Sequence, residues 1–352
     1  MIRVVVVGAG INGLCVAFHL VRLGARVVIV DQHDDGHPHG SSHGEERITR
    51  SSYEHPRWVA DMQRCHAEEW PMLEELLGER LVHRGGDAVF FGPEGGRIGE
   101  YARAVSEAGA QVDELDPSDA RRRFPAFTFA DSARVLHDRS AGVLAAAATI
   151  RGLGRWLASK GVEVRRPFAV ERVESRHGGI AVVGPSVIQA DFAVLTVGPW
   201  VRRLVPGLAV RPARQHVGYW QFPLAKAGHF PAWVRLGVDE LHYGLPTIAG
   251  GEMKAAFHDH GAGPGHDADE LVPPSEVALQ AVESRLREWF VAGVGPLARR
   301  ETCFYTNAED DQFLSSWTSD RVYTVSACSG HAFKLGPLTG RRAAEAVWFR
   351  AR

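Results

Sequence analysis

Residues 3–31, RVVVVGAGINGLCVAFHLVRLGARVVIVD, decide the fold of this chain. The apolar, β-branched run at residues 4–7 is typical of a parallel strand that is buried on both faces. Gly8, Gly10 and Gly13 follow in the pattern G-x-G-x-x-G, and a helix with one apolar face is predicted after them. A second apolar strand comes next. Strand, glycines, helix and strand in one unit predict a βαβ fold that binds a nucleotide.

Each part of this unit has a physical reason to contact a dinucleotide. Gly8 permits the tight turn, Gly10 lets the backbone reach a pyrophosphate, and Gly13 lets the helix pack close to the strand. The helix, predicted at about residues 12–23, presents free N–H groups and the positive end of its dipole to the phosphates. Asp31 ends the second strand, where an acid accepts hydrogen bonds from ribose hydroxyls. That acid favours NAD or FAD over NADP.

The composition excludes several classes of protein. Lys plus Arg is 40 and Asp plus Glu is 42 in 352 residues, which gives a formal net charge of −2. Without a basic excess, nucleic acid is not an expected partner. The longest apolar runs are far too short to cross a bilayer, and the N-terminus lacks the features of a secretory signal. The four cysteines show no CxxC or zinc spacing, so we expect a cytoplasmic protein without a membrane partner.

Residues 32–53, QHDDGHPHGSSHGEERITRSSY, help to separate FAD from NAD. A simple NAD-binding domain would continue with a helix here. This stretch is instead a Gly/Ser/His loop followed by charged residues that could open a helix. The loop carries four histidines, His33, His37, His39 and His43. They lie in a flexible segment without helical spacing, so we predict no metal site and a solvated loop, with His43 as the expected exception.

Later segments predict further elements of a nucleotide-binding domain. Residues 161–184, GVEVRRPFAVERVESRHGGIAVVG, are typical of strands joined by a glycine turn, and residues 144–160 predict the helix that leads into them. Residues 191–200, DFAVLTVGPW, predict a buried strand that ends in glycine, where the chain can pass close to a cofactor. Near the C-terminus, a glycine turn enters a helix predicted at about residues 339–348.

Six motifs carry a resemblance to a known family: GAGINGLCVAFHL at residues 8–20, GSSHGEERITRSSY at 40–53, TVGPW at 196–200, YGLPTIAGGEMKAAFH at 243–258, ETCFYT at 301–306 and CSGHAFKLGP at 328–337. With them the chain resembles the flavin-dependent amine oxidases of the monomeric sarcosine oxidase and N-methyltryptophan oxidase type, within the wider D-amino-acid-oxidase-like group. The motifs follow the family's order and span nearly the whole chain. Residues 81–138 and 261–299 carry little that matches.

The resemblance implies a mixed α/β fold with FAD as the cofactor. A Rossmann-like FAD-binding domain would be assembled from discontinuous segments, residues 1–80, 142–205 and 300–352. Residues 81–141 and 206–299 would form an α+β substrate domain built on an antiparallel sheet, with the flavin ring between the two domains. A monomer or a small homo-oligomer is expected.

The resemblance also assigns residues to the cofactor. Cys303 matches the cysteine that carries FAD through a thioether to the 8α carbon of the isoalloxazine ring, and positive charge at Arg299 and Arg300 could favour its thiolate. The alternative is a buried, unreacted thiol, with Cys328 as the competing attachment site. The other residues expected to bind FAD are Gly8, Gly10, Ile11, Asn12, Gly13, Asp31, Gln32, Ser41, Ser42, His43, Arg47, Val173, Gly198, Trp200, Gly330, His331, Phe333 and Lys334.

Four residues are expected to carry catalytic chemistry: Lys254, Arg47, His258 and Tyr243. By resemblance, Lys254 lies over the N5 side of the flavin, where a cation would stabilise superoxide as it forms from O2. Arg47 would lie near the flavin ring, and His258 and Tyr243 match active-site positions. Each also has a structural reading without the resemblance. Lys254 would be a strand lysine with its head in water, and Tyr243 a buried structural tyrosine.

Arg50 and Lys334 are the predicted clamp for a substrate carboxylate, and Tyr243 is expected to line the substrate pocket. Arginine offers a planar fork to two carboxylate oxygens, and lysine adds a point charge. By resemblance, this pair fixes which C–N bond faces the flavin. The alternatives are a surface arginine on a helix and a lysine that contacts phosphate or only stabilises the fold.

We therefore predict an FAD-dependent oxidase of a secondary amine, a cyclic imino acid or an N-alkyl amino acid that carries a carboxylate. Its partners would be the small-molecule amine and O2, and its products an imine and hydrogen peroxide. One alternative is a flavin-dependent amino acid dehydrogenase that passes electrons to a carrier. Another is a non-catalytic flavin-binding subunit. A plain NAD dehydrogenase is disfavoured, because nothing after Asp31 continues as that fold should.

Overall fold

The computed structural model describes residues 1–259, 265–309, 312–326 and 329–352 of the chain. Within these residues the strands are β1 Arg3–Val7, β2 Arg26–Val30, β3 Glu46–Thr49, β4 Val82–His83, β5 Ala88–Pro93, β6 Val112–Leu115, β7 Ala133–Asp138, β8 Gly142–Ala145, β9 Glu163–Arg165, β10 Arg172–Arg176, β11 Gly179–Val183, β12 Val187–Ala190, β13 Phe192–Leu195, β14 Val210–Gln221, β15 Ala232–Leu236, β16 Leu241–Pro246, β17 Glu252–Phe257, β18 Leu297–Ala308, β19 Leu314–Ser319 and β20 Val322–Ser326.

The helices in the same part of the chain are α1 Ile11–Arg22, α2 Pro56–Arg64, α3 Trp70–Leu77, α4 Ile98–Glu107, α5 Pro117–Arg123, α6 Ala146–Ser159, α7 Val201–Leu204, α8 Glu276–Trp289 and α9 Ala332–Arg350. A π-helix at Cys65–Glu69 joins α2 to α3, and a 3₁₀ turn at Gly198–Trp200 precedes α7. None of the described helices combines the length and the apolar character that crossing a bilayer requires.

The N-terminal βαβ unit lies at the centre of a six-stranded sheet with the order β19-β20-β13-β1-β2-β9. β1 pairs in parallel with β2 on one side and with β13 on the other. Both faces of β1 are covered, as its continuous apolar sequence predicts. Val4 and Val6 pack among residues of α1 and α9, whereas Val5 and Val7 pack against the meander of β10, β11 and β12. The predicted α/β dinucleotide-binding fold is confirmed.

The second large sheet has eight strands in the order β18-β14-β17-β16-β15-β5-β7-β6, and its strands are antiparallel except for the pair of β5 and β15. Successive side chains of a strand point to opposite faces. Met253 and Ala255 of β17 therefore join Trp233 and helix α8 in an aromatic core. Lys254 and Ala256 point to the other face of the sheet, which turns toward the six-stranded sheet.

Some local predictions are confirmed and others are wrong. The helix predicted at residues 12–23 is α1, and the strands predicted around it are β1 and β2. The charged stretch that was expected to open a helix is strand β3, which pairs with β8 from Glu46↔Ala145 onward. Because β8 occupies residues 142–145, the helix predicted from residue 144 begins at Ala146. Here strand pairing between distant segments overrides local sequence preference.

The C-terminal helix also differs from its prediction at residues 339–348. α9 begins at Ala332 and includes Pro337, which lacks the N–H that an interior helical residue donates. The turn around Pro337 is buried and packs against α1, where a Cβ on Gly336 would lie 2.7 Å from Cγ1 of Ile11. This tertiary packing compensates for the missing hydrogen bond.

The chain passes between the two large sheets more than once. Strands β5 to β7 and β14 to β17 belong to the eight-stranded sheet. β18 also belongs to it and begins at Leu297, before the predicted domain boundary at residue 300. The division of the chain into an FAD domain and a substrate domain stays a prediction. Cys328, the competing attachment site, lies outside the described residues.

Helices α1 and α9 pack at very short distance because a glycine faces the contact. A Cβ on Gly340 would lie 2.6 Å from Cβ of Cys15 and 2.9 Å from the backbone N of Val16. Cys15 and Val16 are buried in the core that covers β1. Since protein interiors are close-packed, neither helix can move away without opening that core. Gly340 therefore sets the distance between the two helices.

We expect Gly340→Ala to lower the free energy of unfolding by about 1–3 kcal/mol, because overpacking outweighs the gain in helix propensity. Gly154→Ala in α6 is the matched control, since a Cβ there meets nothing within 4 Å. This control should raise the free energy of unfolding by about 0.5–1 kcal/mol. Thermal and urea unfolding measure both changes. Effects of the same sign and size in the two variants would contradict the packing argument.

Candidate functional site

A cavity of about 530 Å³ connects the two large sheets. One end is lined by the carboxyl ends of β1, β2 and β13, the edge at which open α/β sheets bind their ligands. The other end is lined by side chains of β14, β16 and β17 from the inner face of the eight-stranded sheet. Apart from Gly13 and Val173, every residue predicted for cofactor, substrate or catalysis lines this cavity.

Gly13 and Val173 lie outside the lining for different reasons. A Cβ on Gly13 would lie only 1.8 Å from the carbonyl oxygen of Gly8, which is the close helix–strand contact that the motif requires. Val173 pairs with Val182 in the meander and packs into the cluster beneath the six-stranded sheet. Val170, which precedes β10, lines the cavity in its place.

The glycine loop lies so close to its neighbours that side chains are excluded. Gly8 has a φ of +103°, and a Cβ there would lie 2.6 Å from the carbonyl oxygen of Thr196. A Cβ on Gly10 would lie 2.8 Å from Oγ of Ser42, which accepts a hydrogen bond from the N–H of Ile11 at 3.1 Å. The backbone of the loop and the N-terminus of α1 thus form a cradle of the kind that binds an anionic pyrophosphate.

Asp31 holds this loop from the tip of β2. Its Oδ2 accepts a hydrogen bond from the N–H of Ala9 at 2.6 Å, and its Oδ1 accepts one from the N–H of His33 at 3.0 Å. A carboxylate has about four lone-pair sites, so both oxygens can accept further hydrogen bonds from ribose hydroxyls. The cradle and Asp31 together fit the ADP part of FAD.

Arg47 is buried, and its hydrogen bonds join β3 to the Gly/Ser/His loop that precedes this strand. Its guanidinium donates to the carbonyl oxygens of Glu46 at 2.8 Å, Ser41 at 2.9 Å and His43 at 2.5 Å. Burial acts to lower the pKa of Arg47, but the neighbouring Cys303 and Glu301 raise it overall. Arg47 is therefore a permanent cation in the cavity wall. It bonds to backbone carbonyls here, instead of to the carboxylates of its own strand.

Cys303 is a buried residue of β18 whose thiol faces the cavity. Its Sγ lies 4.0 Å from the carbonyl oxygen of Ser41. The structure gives Arg299 and Arg300 other partners, because Arg299 Nε lies 2.8 Å from Glu252 Oε2 and Arg300 pairs with Glu276. Arg47 and Lys254, which both interact electrostatically with Cys303, are the cations that can favour its thiolate.

Lys254 is a buried cation with a carboxylate partner. Its Nζ lies 2.6 Å from Oε1 of Glu301, and the hydroxyl of Tyr219 donates to the same oxygen at 2.9 Å. Burial lowers the pKa of Lys254, and Glu301 acts in the opposite sense. Burial would also raise the pKa of Glu301, but Lys254 and Arg47 bring it to about 2. Glu301 is therefore anionic, and Lys254 is not a surface lysine with its head in water.

Tyr243 and His258 line the same cavity, and both contact Tyr305. The hydroxyl of Tyr305 donates to that of Tyr243 at 3.1 Å, and the ring of His258 lies 4.9 Å from the ring of Tyr305. Burial raises the pKa of Tyr243 to about 12. Its hydroxyl therefore stays protonated at neutral pH and can donate a hydrogen bond to a molecule in the cavity.

Arg50 and Lys334 come together around one aromatic ring. The guanidinium carbon of Arg50 lies 4.0 Å from the ring centre of Tyr53, and Nζ of Lys334 lies 6.0 Å from the same centre. Both side chains are buried and line the cavity. Arg50 also packs 5.3 Å from the ring of Phe90 and donates to the carbonyl of Ser52. The reading of Arg50 as a surface residue on a helix is thereby wrong, since it directly follows strand β3.

A buried polar network fixes the backbone that follows Arg50. Asp138 is fully buried, and its Oδ2 accepts hydrogen bonds from the N–H groups of Ser51 at 2.8 Å and Ser52 at 2.9 Å. Its Oδ1 accepts from Ser140 at 2.6 Å. His66, which the π-helix turns toward this network, contacts Oγ of Ser51 at 3.3 Å. π-Helical turns of this kind are frequent at functional sites.

The histidine-rich loop forms a ring stack beside the cavity. The rings of His33 and His39 are parallel, with centres 4.2 Å apart, and His33 packs 5.5 Å from Trp200. Burial lowers the pKa of both His33 and His37. Across residues 1–259, 265–309, 312–326 and 329–352, no group of three or more His, Cys, Asp or Glu side chains is arranged to hold a metal ion.

Sequence reasoning missed Glu301, Tyr53 and Asp138. Glu301 lies two residues before Cys303, and the alternation of side chains along a strand would have placed both on one face. Tyr53 ends the motif at residues 40–53, in which roles were assigned to serines, a histidine and two arginines but not to the tyrosine. Asp138 lies in a segment that matches no motif, and its partners are far along the chain, so no local signal pointed to it.

The cradle and the acid at the strand tip define a dinucleotide-binding protein of α/β fold. The family model for FAD dependent oxidoreductases (DAO) matches residues 3–346, so the chain belongs to that family. FAD is the cofactor of this family, and the residues present fit its ADP part.

Comparison with known proteins gives relatives of nearly full length. N-methyl-L-tryptophan oxidase of Yersinia pestis (strain Pestoides F) is 29% identical over 350 residues, which cover 97% of this chain and 93% of the relative. The open form of NikD, an unusual amino acid oxidase essential for nikkomycin biosynthesis, superposes with a TM-score of 0.85 at 21% identity, covering 99% of this chain and 94% of NikD. Glycine oxidase from Geobacillus kaustophilus gives 0.82 at 17% identity, covering 99% and 95%. The two structures establish the likeness of fold.

We expect Asp138→Ala to lower the free energy of unfolding by about 3 kcal/mol or more, because it leaves several buried N–H and O–H donors without acceptors. Asp116→Ala is the matched control. Asp116 also accepts backbone N–H groups, from Ser118 and Asp119, but at an exposed helix N-terminus. Its loss should cost about 1 kcal/mol. Urea unfolding compares the two, and equal losses would show that burial of the network adds nothing.

Proposed function

We propose that this chain is an FAD-dependent oxidase of a secondary amine, a cyclic imino acid or an N-alkyl amino acid that carries a carboxylate. The observation that carries the proposal is the meeting of two buried cations, Arg50 and Lys334, around Tyr53 in the same cavity as the dinucleotide cradle. A carboxylate bound there would share one enclosed site with the cofactor. The names of an N-methyl-L-tryptophan oxidase and a glycine oxidase among the similar proteins support this substrate class.

FAD, when bound, would accept two electrons and a proton from the carbon beside the substrate nitrogen. These electrons and that proton, together with the proton that the nitrogen releases as the imine forms, would reduce O2 to hydrogen peroxide. The chain's own task is to hold the substrate for this reaction. Arg50 presents a planar fork to both carboxylate oxygens, and Lys334 adds a point charge. With its carboxylate held at two points, the substrate keeps one orientation in the cavity.

The charges of the cavity select the neutral form of the substrate amine. Lys254, Arg50, Arg47 and Lys334 all line it, while the carboxylate of Glu301 is paired with Lys254 and burial raises the pKa of the lining residue Glu46. Nearby positive charge disfavours a protonated amine. The neutral amine is also the form whose lone pair allows oxidation, so binding and chemistry require the same species.

Lys254 is the group that we assign to the reaction with O2. A buried, preorganised cation stabilises negative charge as O2 is reduced, and low local polarity strengthens the effect. Lys254 fits this role because it is 3% exposed and lines the cavity. This cation favours an oxidase over a dehydrogenase that passes electrons to a carrier.

We also propose that Cys303 attaches FAD covalently. The S–H bond of Cys303 and a C–H bond of the 8α methyl group are replaced by one C–S bond, and the two hydrogens leave to O2 as hydrogen peroxide. Arg47 supports this step because a cation beside the thiol favours the thiolate nucleophile.

The enzyme would act in the cytoplasm as a monomer or small homo-oligomer. Cys15 and Cys65 are buried free thiols, which supports a reducing compartment. Light scattering coupled to size exclusion measures the oligomeric state.

A substrate screen tests the proposal as a whole. N-alkyl amino acids and cyclic imino acids are incubated with the flavin-loaded enzyme, and imine and peroxide are measured together. Equal amounts of the two products are expected. Imine formed only with an artificial electron acceptor, and no peroxide in air, would identify a dehydrogenase instead.

We expect flavin to remain in the pellet when the wild-type protein is precipitated with acid, and to move to the supernatant in Cys303→Ser. Absorbance of the two fractions measures this. Cys328→Ser is the parallel variant, and it should keep flavin in the pellet. Loss of bound flavin in Cys328→Ser alone would assign the attachment to the competing cysteine.

We expect Arg50→Met to lower kcat/KM for a carboxylate substrate by about 10- to 100-fold, because hydrogen bonds to a charged group are lost. Arg50→Lys should recover part of this loss, since it restores the charge but not the fork. The matching amine without a carboxylate serves as the control substrate. The kcat/KM of this control substrate should change little. An equal loss for both substrates would mean that Arg50 does not bind the carboxylate.

A further inference from the structure

Glu301 does not line the cavity, but its carboxylate contacts Lys254, which does. Lys254 Nζ lies 2.6 Å from Glu301 Oε1 and is itself part of the lining, whereas Glu301 is not. The two residues sit on different strands, β17 and β18, with β14 between them. Tyr219 of β14 donates to the same carboxylate oxygen at 2.9 Å. Three strands thus place one anion directly against the buried ammonium.

A buried ammonium in this position would lose its proton easily without that anion. Burial acts against the charged form of Lys254, and the cation Arg47 acts in the same direction. Glu301 is the largest opposing influence, and Cys303 contributes less.

Burial shifts three other ionisable groups around Lys254 toward their neutral forms. Burial lowers the pKa of His43 to about 4, so this ring is neutral at pH 7. Burial also raises the pKa of Glu46 on β3 and of Tyr219 on β14. Arg299 stacks on Tyr219 at 3.7 Å and is paired with Glu252.

We propose that Glu301 is a positioning residue that keeps Lys254 protonated and aimed into the cavity across the working pH range of the enzyme. The proposal rests on the proposed role of Lys254 in the reaction with O2. Glu301 does not line the cavity, and it acts through the charge and direction of Lys254. Tyr219 holds the carboxylate oxygen in place but supplies no charge.

The protonation of Lys254 can be measured directly because the chain has only four lysines, Lys160, Lys226, Lys254 and Lys334. The flavin-loaded protein is labelled with [6-13C]lysine, and the chemical shift of each ε-carbon is followed against pH by NMR. Lys254→Met assigns the signal. In the wild type we expect the Lys254 signal to stay in its protonated position to high pH.

In Glu301→Gln, the acid dissociation constant of Lys254 should rise by about tenfold or more, since an opposite charge within a few ångströms is lost. Tyr219→Phe should leave the Lys254 signal near its wild-type position, because the charge of Glu301 remains. Glu252→Gln is the matched control, since it removes a carboxylate from β17 that pairs with Arg299. It too should leave the signal in place. An unchanged Lys254 titration in Glu301→Gln would overturn the proposal.

Glu301→Asp keeps the proposal testable if Glu301→Gln does not fold. The shorter side chain keeps its charge but withdraws it from Lys254, so a smaller rise in the acid dissociation constant is expected. An unchanged signal in this variant would equally count against the proposal.

A second readout separates this proposal from the proposed function. The rate at which O2 oxidises the reduced enzyme is followed against pH by stopped flow. In Glu301→Gln this rate should fall as pH rises through the lowered pKa of Lys254, while reduction by substrate keeps its wild-type rate. A shifted NMR titration with an unchanged O2 rate would support Glu301 as the counter-ion and overturn the assignment of Lys254 to O2.

Discussion

Side-chain alternation in the eight-stranded sheet is the constraint on which the site depends. In β17, Met253 and Ala255 enter the aromatic core, and Lys254 between them faces the cavity. In β18, Cys303 and Glu301 share that inner face. A register slip of one residue in β17 would bury the ammonium among aromatic rings and place Met253 in the cavity. Since the cost of burying an unpaired charge is high, the aromatic core and the charged site both favour the same register of β17.

The cavity joins two kinds of backbone with different tasks. On one side, the glycine loop comes so close to Thr196 that only backbone can face the ligand. On the other side, side chains of the eight-stranded sheet supply charge. Strand β3 and the loop before it connect the two, and Arg47 staples them through three carbonyl oxygens. The cofactor cradle and the charged wall are therefore held at a fixed distance by hydrogen bonds.

The wall of the cavity contains several buried cations, and different contacts stabilise each of them. Arg47 uses backbone carbonyls, Lys254 uses Glu301, and Arg50 packs on aromatic rings above a network anchored by Asp138. Charges held this way need little rearrangement when an anion arrives, because their positions are already fixed by these partners. The same arrangement disfavours the binding of a cationic group in the cavity.

Local sequence identified part of this arrangement and misread another part. The glycine motif gave the correct element and the correct contact for Gly8 and Gly13. The charged stretch that forms β3 resembles the start of a helix. Its pairing partner β8 lies far along the chain, so no neighbouring residue indicates a strand. Arg299 and Arg300 are the positive charges nearest to Cys303 in sequence, yet they pair with Glu252 and Glu276, and Arg47 from a distant segment interacts with the thiol instead.

The sequence by itself determined the βαβ unit, its acid at the strand tip and the residue types that a flavin site requires. These are local properties, since a turn, a helix N-terminus and a buried strand depend on neighbours within a few residues. Only the tertiary structure decided which charges meet. The ion pair of Lys254 with Glu301, the approach of Arg50 and Lys334 to the ring of Tyr53, and the contact of Asp138 with Ser51 join segments that lie far apart in the chain. Such contacts follow from sheet order and register, which no single stretch of residues contains.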